Sequence, residues 1–286
     1  MKVFEIKDLR FTYQKNRIKA VDGISFSIHE GEIFGLLGPS GAGKSTTQKI
    51  LTRLLKAYEG EILYYGKDLK SYTNTFYEDI GVGFELPVHF SKLTAMENMI
   101  FFQQLYKQKS DIVSLLKQVG LYEDKDRLVG EFSKGMKMRL NFVRAMLNNP
   151  KILFLDEVTN GLDPKNARII KDMIRTFKEN GGTVLLSTHL MNDVEELCDR
   201  VAFISDGKIK EISTPRALKL KHGKRILDVE YYDNTHTKLK TFELTNIGDN
   251  QAFLDLLKNY NIETIHSGET SLDEIFIKVT GDKIHE

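Results

Sequence analysis

The chain has 286 residues, 41 % of them hydrophobic and 28 % charged. That length bounds one large domain with a small appendix, and the balance is that of a globular protein able to bury a sizeable core. A net charge of +1 gives no global pull toward nucleic acid or anionic lipid. The single cysteine, Cys198, leaves no internal disulfide. It fits a reducing compartment and reads as a small buried hydrophobe. No run of about 18 apolar residues, the length of a membrane span, occurs; stretches such as residues 152–155 have the length of buried strands. Glu5 and Asp8 stand where a secretory signal would need apolar residues. The expectation is a cytoplasmic protein that reaches any membrane through a partner.

In chain order, residues 2–34 read as strands, with residues 3–13 and 24–33 rich in β-branched and aromatic side chains and Asp22-Gly23 marking a turn. Residues 33–37 predict a short buried strand. It runs into a glycine-rich loop and a helix over about residues 44–55. Residues 61–72 predict a further strand and turn. Residues 91–150 read as helices: Thr94 and Glu97 fit a capping box, Asp111 starts a helix that Gly120 ends, and Ser133 caps another that Asn148, Asn149 and Pro150 terminate. Strand and helix then alternate over 152–156, 165–179, 183–187, 191–197 and 200–204, the pattern of a mainly parallel sheet. After about residue 216 two strands are expected around 227–231 and 239–244, then a helix over 250–260, a strand near 262–265, and a second capping box at Ser271 and Glu274.

Two motifs carry chemistry. Gly38, Pro39, Ser40, Gly41, Ala42, Gly43, Lys44 and Ser45, followed by Thr46, match the phosphate-binding pattern G-x-x-x-x-G-K-[ST]. Glycines let the backbone wrap a phosphate with its N–H groups inward, and the following helix adds the positive end of its dipole. Lys44 would meet the β- and γ-phosphates of ATP, and the Ser45 hydroxyl would ligate Mg²⁺. The second motif is the apolar strand 152–155 ending in Asp156 and Glu157. Such a strand delivers carboxylates to its C-terminal end, where ligands bind in these sheets. Asp156 can hold Mg²⁺ through water, and Glu157 is placed to polarise the attacking water. Apolar strands ending in acids are common, so this motif gains its force from the phosphate loop upstream.

With both motifs in order, residues 1–215 resemble the nucleotide-binding domain of ATP-binding-cassette (ABC) transporters. Phe132, Ser133, Lys134, Gly135 and Met136 look like the family's signature motif; Asn160, Gly161, Leu162 and Asp163 look like its D-loop; His189 looks like its switch histidine. Tyr13 is similar in placement to the aromatic that stacks on adenine, and Glu85 stands where the family usually has a glutamine. The resemblance implies an α/β P-loop NTPase fold with an antiparallel β subdomain, a mainly parallel core sheet and a helical subdomain at about 86–147. Residues 216–286 read as a small C-terminal α+β domain, a cap on the catalytic domain or its twin rather than a ligand sensor. The resemblance further implies a head-to-tail dimer, with ATP between the phosphate loop of one domain and Ser133 and Gly135 of the other; with both half-sites complete in this chain, a homodimer is the simpler expectation than a heterodimer. Glu157 and His189 would be catalytic, Asp163 would serve the nucleotide interface, and Ser45, Asp156 and Glu85 the metal.

The departures locate a branch. Lys134 and Met136 replace the signature's first glycine and its glutamine, a form similar to the ABC-2-type exporters, and residues 271–281 resemble the last helix of that branch. Glu85 brings a charge that an amide lacks, yet a carboxylate can serve Mg²⁺ or its water. Val158 and Asn160 replace the usual proline and serine, with small effects expected. The resemblance thus implies a peripheral motor at the inner face of the cell membrane, powering export through a polytopic permease. The segment from Glu85 to Asn98 is a candidate docking site: Pro87, Val88, His89 and Phe90 either offer an apolar contact or pack internally. Two other readings stand beside it: a soluble ATPase of the same class acting on ribosome or DNA, and a module that binds nucleotide without turnover. One phosphate loop, no long charged linker and a neutral balance weigh against the first and against nucleic acid as a partner; intact Lys44, Asp156, Glu157 and His189 weigh against the second.

Overall fold

A computed structural model describes residues 1–13, 18–86, 88–233 and 236–282. In chain order its elements are β1 (Lys2–Tyr13), β2 (Ile18–His29), β3 (Ile33–Leu37), α1 (Lys44–Leu51), β4 (Glu59–Tyr64), β5 (Lys67–Asp68), α2 (Phe76–Asp79) and β6 (Ile80–Gly83). There follow α3 (Ala95–Gln103), α4 (Ile112–Gln118), α5 (Lys134–Ala145), β7 (Ile152–Asp156), α6 (Pro164–Glu179), β8 (Thr183–Thr188), α7 (Met191–Leu197) and β9 (Arg200–Ser205). The chain ends with β10 (Lys208–Ser213), α8 (Pro215–His222), β11 (Arg225–Asp233), β12 (His236–Glu243), α9 (Gln251–Asn259), β13 (Asn261–Glu269) and α10 (Leu272–Thr280).

The central sheet has the order β10-β9-β3-β8-β7-β6 and is parallel except for β10, which pairs antiparallel with β9. Every residue of β3, β7 and β8 is buried, which is why these segments read as continuous apolar runs rather than alternating ones. Because successive strand residues face opposite sides, β7 splits its side chains between two cores. Phe154 joins the core beneath the antiparallel sheet β2-β1-β4-β5, with its ring 5.9 Å from Phe4, while Leu153 and Leu155 face Ile170, Ile174 and Val194 on the helical side. Helices α3, α4 and α5 form a separate cluster around Met99, Leu116, Phe132 and Leu140.

The helix ends are set as the sequence reads. Thr94 Oγ1 accepts from Glu97 N–H at 3.1 Å and Glu97 Oε2 accepts from Thr94 N–H at 2.8 Å, completing a capping box. Asp111 and Ser133 cap α4 and α5, and Ser271 Oγ accepts from Glu274 N–H at 3.3 Å. The helix after the glycine loop stops at Leu51, short of residue 55, because the chain turns at Arg53 into the left-handed region with φ 61°. Strands β6 and β10 and helix α8 are elements the sequence reading leaves out; Gly81 and Gly83 thin the apolar pattern of β6. Cys198 is buried against Gly35, and burial pushes its thiol far above the ordinary range.

Of the candidate docking residues, Pro87 lies outside the described residues. His89 packs inward, with Nε2 3.2 Å from Lys137 O, and burial followed by the Arg144 charge pushes its imidazole down to about 4. Val88 is 71 % exposed and Phe90 is 46 % exposed, the latter stacked on Phe102. Both alternatives therefore occur within one segment.

The third sheet, β12-β11-β13, closes a small core of Leu227, Val229, Phe242 and Leu256 under α9. The chain then returns. Leu272, Ile275 and Phe276 of α10, with Leu218 of α8, are buried in the same core as Leu153 and Val184, and the Phe276 ring lies 5.1 Å from that of Phe203. Phe276→Ala is accordingly expected to lower the unfolding free energy by about 3–5 kcal/mol, read from urea denaturation of the whole chain. A change within about 0.5 kcal/mol, the scale of a surface substitution, would show that α10 does not belong to the main core.

Candidate active site

The loop after β3 passes through a space that only glycine fits. A Cβ on Gly38 would lie 2.1 Å from Ile204 O, and one on Gly43, whose φ is 106°, would lie 2.3 Å from Ala20 O. The backbones of β9 and β2 thus press the loop from both sides. Gly207 N–H donates to Ala42 O at 3.1 Å and fixes its middle. Gly43 supplies no side-chain cap to α1, so the first N–H groups of that helix stay open to an anion.

Lys44 folds back over this loop. Its Nζ donates to Gly38 O at 2.6 Å and Pro39 O at 3.0 Å and stands 3.7 Å from Glu157 Oε1. Burial lowers its pKa, opposed by the charges of Glu157 and Asp156. Asp156, at the end of β7, is 9 % exposed and has one carboxylate oxygen, Oδ1, buried without a hydrogen-bond partner. Burial raises its pKa, opposed by the Ser45 hydroxyl.

The next residue is held in an uncommon conformation. Glu157 has φ 51°, a region sparsely used by residues other than glycine and costly unless its surroundings enforce it. Here its N–H donates to Ser187 O at 3.0 Å and its carbonyl accepts from Asn160 N–H at 3.0 Å. Its side chain is thereby set against His189, with Glu157 Oε2 2.8 Å from His189 Nδ1. Burial raises the Glu157 pKa, and the hydrogen bond and charge of His189 oppose the rise.

Lys44, Glu157 and His189 border a cavity of about 370 Å³ lined by residues 40–46, Glu85, Glu157, Asn160 and His189, and Asp156 is not part of that lining. The structure therefore brings together Ser40, Gly41, Ala42, Gly43, Lys44, Ser45, Thr46, Glu85, Glu157 and His189. Gly38 and Pro39 sit beneath, holding Lys44. Tyr13 stands at the rim, 38 % exposed, with its hydroxyl 3.3 Å from Thr46 Oγ1. Ser133, Gly135 and Asp163 do not line the cavity: Ser133 caps α5, Asp163 caps α6, and Gly135 faces Leu162 and Asn166.

Two contributors escape the sequence reading. Asn160, read only as a departure in the D-loop, is part of the cavity wall. Gln48, buried in α1, donates to Leu155 O at 2.9 Å and to Ser187 Oγ, tying the helix to the ends of β7 and β8. A polar residue four places after Lys44, on the same helix face, is the signal that was available.

The donor set suits Mg²⁺. Among the described residues, no group of three or more His, Cys, Asp or Glu side chains forms a metal cage. Mg²⁺ in nucleotide sites, however, takes one or two protein oxygens and completes its shell with phosphates and water. The unpartnered Asp156 Oδ1 is such an oxygen, and the Ser45 hydroxyl is another.

Residues 21–160 match the family model described as ABC transporter, and residues 225–269 match a model described as fluoroquinolone efflux ABC transporter C-terminal domain. A fluoroquinolones export ATP-binding protein of Mycobacterium tuberculosis is 48 % identical over 284 residues, covering 99 % of this chain and 94 % of that protein. This chain belongs to the ABC transporter ATP-binding proteins. It is 31 % identical over 298 residues to a bacitracin transport ATP-binding protein of Bacillus licheniformis, covering 96 % and 97 % of the two chains. Among solved structures, a dimeric bacterial ABC transporter cassette superposes with a TM-score of 0.68 at 27 % identity, covering 74 % of this chain and 98 % of that one. The post-hydrolysis state of that cassette, bound to ADP and Pi, superposes with a TM-score of 0.67 at 26 % identity, with the same coverage.

As an ABC ATP-binding subunit, the chain is an ATP hydrolase that drives a separate membrane permease. Among the described residues, no helix is long and apolar enough to cross a membrane. The readings as a ribosome- or DNA-directed ATPase and as a non-hydrolysing module give way to this one. The cost of keeping Asp156 buried and ready is measurable. Asp156→Asn is expected to raise the melting temperature of the nucleotide-free protein at pH 7 by about 2–4 °C, equivalent to about 1 kcal/mol, while abolishing turnover. An unchanged or lower melting temperature would show that the carboxylate is not held at a cost.

Proposed function

We propose that two copies of this chain, stacked head to tail, bind ATP with Mg²⁺ between them and drive export of a fluoroquinolone-type drug through a polytopic permease at the inner face of the cell membrane. The observation that carries the dimer is the division of the site. One copy gathers the phosphate loop, Glu157 and His189 around a single cavity, whereas Ser133 and Gly135 stand elsewhere. The Ser133-capped N-terminus of α5 suits an anion brought to it by a second copy. The cargo reading rests on the relative from M. tuberculosis and on the match over residues 225–269.

In this reading residues 1–215 form the ATPase unit, with a helical part at about 86–147, and residues 216–286 form the accessory unit. Tyr13 packs on adenine. The N–H groups of residues 40–46 and the Lys44 ammonium neutralise the β- and γ-phosphates. Ser45, Asp156 and Glu85 are the residues that would hold Mg²⁺, which when bound supplies charge neutralisation at those same phosphates. Glu157 accepts a proton from water as its oxygen forms a bond to the γ-phosphorus; the bond from that phosphorus to the β–γ bridging oxygen breaks, and ADP leaves with the oxygen. His189 orients Glu157 and donates a hydrogen bond to the γ-phosphate. Asp163 caps α6 and so shapes the D-loop at the dimer interface.

Glu157→Gln is expected to cut kcat by at least about a hundredfold and to give an ATP-dependent dimer on gel filtration. Retention of the wild-type rate would remove Glu157 as the base. Drug accumulation in inverted vesicles carrying the chain with its co-purified permease tests the cargo. ATP-driven uptake of a fluoroquinolone supports the assignment, and vesicles that hydrolyse ATP without moving the drug overturn it.

A further inference from the structure

Behind the pair formed by Glu157 and His189 lies a set of buried polar groups that the hydrolytic reading does not use. Thr159, Lys171 and Asp193 are 5 %, 9 % and 3 % exposed. Thr159 Oγ1 donates to Asp193 Oδ2, and Lys171 Nζ stands 2.7 Å from Asp193 Oδ1. The same ammonium lies 3.2 Å from Glu196 Oε2, which also meets Arg175 at 3.3 Å. Each buried charge here has a partner, so the group is held at the desolvation cost of an ion pair rather than of lone charges.

Its placement has a consequence. Thr159 belongs to the turn closed by the bond from Asn160 N–H to Glu157 O, the turn that holds Glu157 at its positive φ. Asp193 lies on α7, which begins two residues after His189; the start of that helix is fixed by Leu190 N–H donating to Thr188 Oγ1 at 2.9 Å and by Asp193 N–H donating to Leu190 O. Lys171 comes from the middle of α6, the helix that follows the D-loop. One carboxylate thus ties together the two segments that carry the members of the 2.8 Å pair, and an ammonium from a third element holds that carboxylate in place. Apolar residues of similar volume could fill the same space at no loss of stability. What they could not do is set the direction in which the turn and α7 meet.

We propose that Asp193, held by Lys171 and bonded to Thr159, is a positioning residue for hydrolysis: it fixes the Glu157 turn against the His189 segment so that the two side chains stay in register through turnover. This rests on Glu157 and His189 being the hydrolytic pair. Displacement of a reacting group by about 1 Å can cost on the order of a hundredfold in rate, so a clasp between the two segments acts on kcat rather than on nucleotide affinity.

The test uses the full-length chain. Thr159→Val keeps the side-chain shape, removes the hydroxyl, and leaves Asp193 paired with Lys171. It is expected to lower kcat by about ten- to a hundredfold, with the KM for ATP within about twofold of wild type and a melting temperature lowered by only a few degrees through the loss of one buried hydrogen bond. Thr159→Ser, which restores the hydroxyl, is expected to recover kcat to within about threefold. Should Thr159→Val fold poorly, the paired replacement Lys171→Met with Asp193→Leu removes the clasp without leaving a lone buried charge, and the same split between kcat and KM is expected. Wild-type kcat in Thr159→Val overturns the inference, as does a loss that Thr159→Ser does not recover. Glu157→Gln is measured alongside: wild-type turnover there sinks the underlying pair, whereas an inactive Glu157→Gln beside a fully active Thr159→Val sinks the clasp alone.

Discussion

Charge held in a buried place is the constraint on which the rest of this molecule depends. Lys44, Asp156 and Glu157 are each less than 10 % exposed, and they meet at the carboxyl ends of β3 and β7 beside the His189 segment that follows β8. These side chains are themselves largely withdrawn from water, so each group leans on the others and on fixed backbone dipoles. Lys44 is lowered in pKa and both carboxylates are raised by the same burial. The arrangement is tolerable without ligand because opposite signs are adjacent. In the proposed reading, a triphosphate and its cation take over the pairing. Strand order, glycine positions and helix starts can all be read as means of bringing these side chains to one place without exposing them.

The backbone contributes strain as well as shape. Glu157 in the left-handed region, and a loop so tightly pressed that two of its positions exclude any Cβ, are local costs carried by the surrounding sheet. The sheet bears them because β3, β7 and β8 are buried on both faces and shared between two cores. A softer frame would relax Glu157 away from His189. Gln48, which binds α1 to the ends of β7 and β8, belongs to the same frame.

Much of the phosphate loop, the acidic strand end and the helix caps was legible in the sequence, because each depends on residues close together in the chain. Thr94 with Glu97, Asp111 with the N–H groups that follow it, and Lys44 in its loop are local devices with local spacing. What stayed hidden was non-local. Strand β6, diluted by Gly81 and Gly83, is recognisable only beside β7, and β10 only as an antiparallel edge on β9. Asn160 reads as an ordinary turn residue until the fold sets it in the cavity wall. The contact of Thr159 with Asp193 joins positions 34 apart, and nothing in either stretch alone announces it.

The route of the chain after β10 carries one more consequence. The small sheet β12-β11-β13 leaves the main body at α8 and rejoins it at α10, and both of those helices sink apolar residues into the main core. The sheet is therefore a handle fastened at two points rather than a tail hanging from one. A segment fastened in this way can lengthen or bend between its two rivets without disturbing the core that they enter.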